Sequence, residues 1–144
     1  MTSTSLDNLV RIGKLKTQPP NRGEFESLLQ LARTLLATVT DNKGMATESQ
    51  FVLAYDAAHA ASRAALRAFG YRSDDRYLVF QCLEHTVGWP AEKWRILDTC
   101  HRRRNAAEYE GNVDLPASLT AELVNLTGEL IDAASALTHM LPTD

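Results

Sequence analysis

The residues best equipped for chemistry lie together in His101-Arg102-Arg103-Arg104-Asn105, followed shortly by Glu108, Tyr109 and Gly111. Guanidinium, imidazole, amide and phenol are side chains suited to phosphate. The planar arginine fork offers several donors at once, and a concave setting strengthens that attraction. If the segment is helical, Arg104 and Glu108 are four apart, as are Asn105 and Tyr109, and Arg104 and Tyr109 lie on neighbouring sectors. Successive helical positions point about 100° apart, so at most two of the three arginines face one groove; Arg103 and Arg104 are the candidate phosphate ligands. His101, three residues before Arg104, can share its face and supply an imidazole. The same residues also fit an ordinary surface: solvated Arg102 and Arg103, an Arg104–Glu108 ion pair, and Tyr109 at the core edge with its hydroxyl in water.

Other constellations carry less. Asp56 and His59, three apart among alanines, suit a structural hydrogen bond at the edge of a core, and Ser62 nearby lacks the architecture of a triad. His85 and His139 are isolated, so no metal and no cofactor is expected. There is no phosphate-binding glycine loop, zinc-peptidase motif or nucleophile elbow. Trp89 and Trp94 can stack on bases or anchor the start of a helix in the core. Cys82 and Cys100 are too few and too far apart for a disulfide scaffold or structural zinc site, and read as reduced cytosolic thiols.

The elements that must position these groups are helices. Leu6, Leu9, Val10 and Ile12 outline a minor helix in residues 1–20, closed by Gly13 and Pro19-Pro20. A single bundle domain then covers residues 21–144. Asn21 is placed to cap a helix carrying Phe25, Leu28, Leu29, Ala32, Leu35, Leu36 and Val39. Thr47 with Gln50 has capping-box spacing ahead of Phe51, Ala54, Tyr55, Ala58, Ala61, Ala65 and Leu66, and this alanine-rich helix is expected at the centre. Asp74 or Asp75 caps a shorter helix through Glu84, and Pro90 opens the helix that holds His101 and ends at Gly111. After Pro116, Leu119, Leu123, Leu126, Leu130 and Leu137 recur almost as a heptad, a stripe that serves either the monomer core or a dimer, with Gly128 marking a close helix contact or a weak point. No convincing strand appears. The chain reads as all-alpha, an antiparallel four-helix-type bundle with one or two additional short helices.

Charge adds one constraint. The 144 residues hold 15 Lys and Arg against 18 Asp and Glu, a net charge of −3 that excludes a uniformly basic nucleic-acid coat. Yet every residue from Glu108 onward is acidic or neutral, so the excess of positive charge ends in the arginine-rich segment. No targeting segment and no membrane-spanning stretch is evident, and a cytoplasmic location is expected.

The Tyr55-Asp56-Ala57-Ala58-His59-Ala60-Ala61 run, the Phe69-Gly70-Tyr71 end and the Arg104-Asn105 pair followed by Tyr109 resemble the HEPN superfamily of small helical domains, over roughly residues 25–140. The resemblance implies a helical bundle that forms a homodimer with its sites meeting across the interface. In active members it implies metal-independent RNA cleavage, with the 2′-hydroxyl attacking phosphorus, Arg stabilising charge and His moving a proton. Such members place an Arg, often followed by Asn, four to six residues before that His. Arg104 and Asn105 match; Tyr109 stands in the His position, and Gly111 stands where toxins paired with a nucleotidyltransferase often have Tyr. A phenol, with a reference pKa near 10, is a poor base at neutral pH. What the resemblance implies is thus a nucleotide- or RNA-binding protein of a toxin–antitoxin, stress or defence setting, with degenerate catalysis. One alternative is a metal-independent endoribonuclease using Arg104, with Asn105 orienting phosphate and Tyr109 or His101 handling the proton. Another is a noncatalytic interaction subunit that partners a nucleotidyltransferase.

Overall fold

Asn21 has an extended backbone, and its side-chain oxygen accepts from the Glu24 amide at 2.8 Å, so α2 (Arg22–Thr40) starts on the side chain the sequence places there. The computed structural model describes residues 4–107 in full, the backbone of 108–110, and residues 115–143. Its long helices are α2, α3 (Thr47–Ala68), α6 (Ala91–Glu110) and α7 (Ala117–Ser135), with shorter α1 (Thr4–Arg11), α4 (Arg76–Gln81) and α5 (Leu83–Thr86). The architecture is an all-alpha bundle.

α3 packs most extensively, against α2 and α7. Ala54, Ala57, Ala58, Ala61, Ala64 and Ala65 are all fully buried on it, and their small side chains let both neighbours approach while keeping the backbone helical. Its start differs from expectation: Ala46 occupies the cap position without a side-chain bond, and the Gln50 amide donates to the Met45 carbonyl at 2.7 Å. The Thr47–Gln50 capping box does not form. On α7 the stripe of Leu123, Leu126, Leu130, Ile131 and Ala134 is buried inside the monomer. Gly128 neither breaks α7 nor answers crowding, since a Cβ there would meet Leu36 at an ordinary 3.9 Å. Beyond Ser135 the chain tightens into a 3₁₀ turn, Ala136–Met140, instead of continuing α7.

The helix expected from Asp75 to Glu84 is divided at Cys82. Asp75 caps α4 by accepting from the Leu78 amide at 3.2 Å, and the chain then changes direction into α5. The division serves two cores: Phe80 and Leu83 join the main one, while Leu78, Val79 and Cys82 join a smaller one with Leu6, Leu15, Leu66 and Tyr71. That smaller core ties down the N-terminal segment. Lys16–Thr17 (β1) and Tyr71–Arg72 (β2) form a two-residue antiparallel ladder, Lys16 opposite Arg72 and Thr17 opposite Tyr71, which residue patterning does not announce. Gly70 makes the turn into it at φ +88, a backbone conformation that L side chains rarely adopt, and its carbonyl accepts from the Gln18 amide at 2.9 Å. The Tyr71 hydroxyl donates to Asp7 of α1. Among the described residues no helix is long and apolar enough to cross a membrane.

Candidate functional site

Three helices converge on the ring of Tyr55. That residue lies on the buried face of α3 with no exposed surface, so its hydroxyl must find a partner inside the protein. The partner is Nδ1 of His101 on α6, at 2.7 Å, with the two rings stacked 6.1 Å apart at 19°. One turn further along α6, the Asn105 amide lies 3.3 Å from Nε2 of the same imidazole. Both ring nitrogens are therefore engaged, and the imidazole is fixed between α3 and its own helix. Arg104 places its guanidinium carbon 5.2 Å from the Tyr55 ring centroid, and Arg76, the first residue of α4, places its own at 5.6 Å. Each cation is attracted by the ring quadrupole, which offsets part of the repulsion between two like charges held near one ring.

Arg76 ion-pairs with Asp56 at 3.6 Å, too far for a hydrogen bond, and its buried Nη1 makes none. Burial raises the Tyr55 pKa, while the Arg76 contact and the Arg76 and Arg104 charges pull it the other way. His59, one turn along α3, is pushed down to about 3 by burial and then by the charges of Arg76, Arg63 and Arg104. His101 is also lowered, first by burial; Asp98 opposes this, and Arg76 and Arg104 reinforce it. At neutral pH the site thus holds two fixed guanidiniums beside neutral imidazoles. Such an arrangement is electrostatically suited to an anion. It is less ready to abstract a proton, because the His101 lone pair is already engaged.

Of the sequence candidates, His101, Arg104 and Asn105 are brought together. Arg103 is half-buried at the next angular step, and Arg102 is exposed and bonded to Asp98 at 3.0 Å, so Arg104 is the arginine over Tyr55. The Tyr109 and Glu108 side chains and Gly111 lie outside the described residues, and with them the Asn105–Tyr109 and Arg104–Glu108 pairings and the helix stop. Asp56 does not bond His59; it faces Arg76, while His59 packs edge-on against Phe80 at 6.0 Å and makes no hydrogen bond among the described residues. Trp89 is buried in the main core with Lys93 over its ring, an anchor and not a stacking platform, and Trp94 is half-buried beneath Arg95. His85 stands 3.7 Å from Glu84, and His139 contacts the Ala136 carbonyl at 2.9 Å. The two thiols are buried and free, each raised to about 12 by burial.

Residue patterning misses Tyr55 and Arg76. The signal for Tyr55 is a phenol on a stripe otherwise made of alanine and phenylalanine, where a buried hydroxyl requires a distant partner. Arg76 carries no such signal, since only the packing of α4 on α6 and α3 brings it in.

No protein-family model matches the chain, and neither a curated protein nor a solved structure matches it. What fold and site define is a class: an all-alpha bundle with two arginines and a histidine gathered on one buried tyrosine.

Proposed function

We propose that this is a HEPN-like helical protein that binds the phosphate of a nucleotide or RNA at Arg104 and Arg76, with degenerate catalysis. The observation that carries this reading is the convergence of two guanidiniums from different helices on the Tyr55 ring. A bound phosphate would replace their mutual repulsion with charge-assisted hydrogen bonds. Catalysis is read as degenerate because both nitrogens of His101 are engaged and because Tyr109 occupies the position of the motif histidine. The reading extends to a cytoplasmic toxin–antitoxin or stress setting, with a homodimer or a nucleotidyltransferase as partner.

The enzyme alternative, a metal-independent endoribonuclease, is favoured by one observation: a half-buried imidazole kept neutral and fixed close to Arg104. Fluorescence anisotropy with labelled single-stranded RNA separates the readings. Binding that weakens about tenfold in Arg104→Ala, and weakens with rising salt, supports the phosphate site. RNA cleavage in EDTA that is lost in both Arg104→Ala and His101→Asn selects the enzyme. Binding indifferent to salt and to Arg104 rejects both readings.

A further inference from the structure

Between Ser27 and Thr40 the only charged residue of α2 is Arg33, in a chain that is 23% charged. α6, by contrast, exposes Glu92, Arg95 and Arg102. Yet Ser27, Gln30, Leu31, Thr34, Ala37 and Thr38 of α2 are all exposed, Leu31 at 48 %. Ser27, Leu31, Thr34 and Thr38 recur at four, three and four residues, the spacing of a seam that packs on another helix. Its polar groups already have partners within α2: the Gln30 amide donates to the Thr34 hydroxyl at 3.3 Å, and the Thr38 hydroxyl donates to the Thr34 carbonyl at 2.9 Å. A helix laid over this face would therefore leave these groups bonded, as burial requires.

Charge placement says what kind of helix fits. A groove of about 600 Å³ runs beside the seam, walled by Glu26, Ser27, Gln30 and Arg33 of α2 and by Ser135 and Thr138 where α7 passes into the 3₁₀ turn. Glu26 and Arg33 are seven residues apart, so they lie nearly on one line of the helix, about 10 Å apart along its axis. Opposite charges at the two ends of one groove make the surface complementary to itself. A second α2, laid antiparallel about a two-fold axis near Leu29 and Gln30, brings each Glu26 to the Arg33 of the other copy. Neither charge is strongly held within the monomer: Glu26 shares an exposed pair with Arg22 at 3.4 Å, and Arg33 donates to the Ser135 hydroxyl at 3.0 Å. We infer that α2 is the face on which two copies of this chain dimerise, their α2 helices crossing antiparallel near Gln30 with each Leu31 packed against the groove of the other copy. This specifies the homodimer of the reading above and does not depend on phosphate binding. The Tyr55 site draws its residues from α3, α4 and α6 and none from α2, so the face differs from the one the HEPN resemblance implies, where the sites meet.

Sedimentation equilibrium of the whole protein over a wide concentration range tests this. A reversible monomer–dimer equilibrium is expected, weakened at least about tenfold by Leu31→Asp. Glu26→Arg and Arg33→Glu should each weaken it, and the two together should restore it to near the wild-type level, because opposite charges face each other again. All three positions are exposed, so circular dichroism should show each variant folded. Gln30→Cys, beside the two-fold axis, should give a disulfide-linked dimer on mild oxidation, since the native Cys82 and Cys100 are buried. A wild type that stays monomeric throughout, or a dimer that tolerates Leu31→Asp and shows no rescue by the double charge swap, overturns the inference. RNA binding by such a monomer leaves the phosphate-binding reading standing, whereas a dimer that behaves as expected and binds no RNA or nucleotide overturns that reading alone.

Discussion

Arg67 and Arg76 sit at the two ends of the short connection between α3 and α4, and their surroundings are opposite. Arg67 is 3 % exposed, and its guanidinium is nearly saturated: Nη1 donates to the Gln18 and Tyr71 carbonyls at 3.0 and 3.3 Å, and Nη2 to Pro19 at 2.8 Å. Its Nε lies 3.2 Å from Glu24, an ion pair without hydrogen-bond alignment, and the same carboxylate holds Arg72 at 2.7 Å. Arg76 has one ion pair at 3.6 Å, a buried Nη1 without a hydrogen bond, and a second guanidinium sharing its aromatic ring. A buried cation bonded to backbone carbonyls on a neighbouring segment acts as a fastener. A cation held next to another, with donors still unmet, is an arrangement that an anion completes. Both clusters are arginine-rich, and the proposed phosphate site is assigned to the second alone.

The largest effect should come from the fastener. Arg67→Ala leaves three carbonyls without their donor and loosens the β1–β2 ladder, so it should destabilise the fold by about 3 kcal/mol, lowering Tm by on the order of 10 °C. Thermal denaturation followed by circular dichroism measures this. RNA or nucleotide affinity of the folded fraction should be unchanged; a loss of affinity without a loss of stability would reverse the roles assigned to the two clusters.

A smaller effect belongs to His59 on the open side. Its folded pKa of about 3 lies below the ordinary 6.5, so the unfolded chain binds more protons between those values. Its contribution to stability is full above about pH 6.5 and is lost as pH falls toward 3. Urea unfolding at pH 7 and pH 5 should show a loss of about 1–2 kcal/mol that is reduced in His59→Leu. An identical acid slope in that variant would show that His59 is not held neutral by the fold.

The smallest effect concerns the cap. Asp75→Ala removes the acceptor for the Leu78 amide and should cost about 1 kcal/mol. Because Arg76 is the first residue of α4, the variant should also weaken phosphate binding several-fold, whereas removal of the equivalent cap on α2, Asn21→Ala, should cost similar stability without touching affinity.

Much of this framework is legible in residue spacing. Asn21 and Asp75 stand where caps are needed, the alanine face of α3 announces a central helix, and the α7 leucines trace one buried side. These are local signals, settled within a few turns of helix. The failures are of another kind. Nothing in the spacing around Arg67 announces its burial, because the carbonyls that satisfy it belong to Gln18 and Pro19, far away in the chain. The division at Cys82 follows from two cores competing for adjacent residues. For the site, the sequence segment containing His101, Arg104 and Asn105 is visible as a run of functional groups. Arg76 enters through tertiary packing alone, whereas Tyr55 is visible as a phenol on the buried stripe but its partner, His101, is not.

The most direct test places both clusters in one spectrum. Amide and side-chain NMR resonances of the whole protein are followed while a 5′-phosphorylated RNA oligonucleotide is added. Binding at the open cluster predicts saturable shifts at Tyr55, Arg76, His101, Arg104 and Asn105, with Gln18, Glu24, Arg67 and Arg72 unmoved. Shifts centred on Arg67 and Arg72, or no saturable shifts at Arg76 and Arg104, would contradict the assignment of phosphate binding to the Tyr55 site.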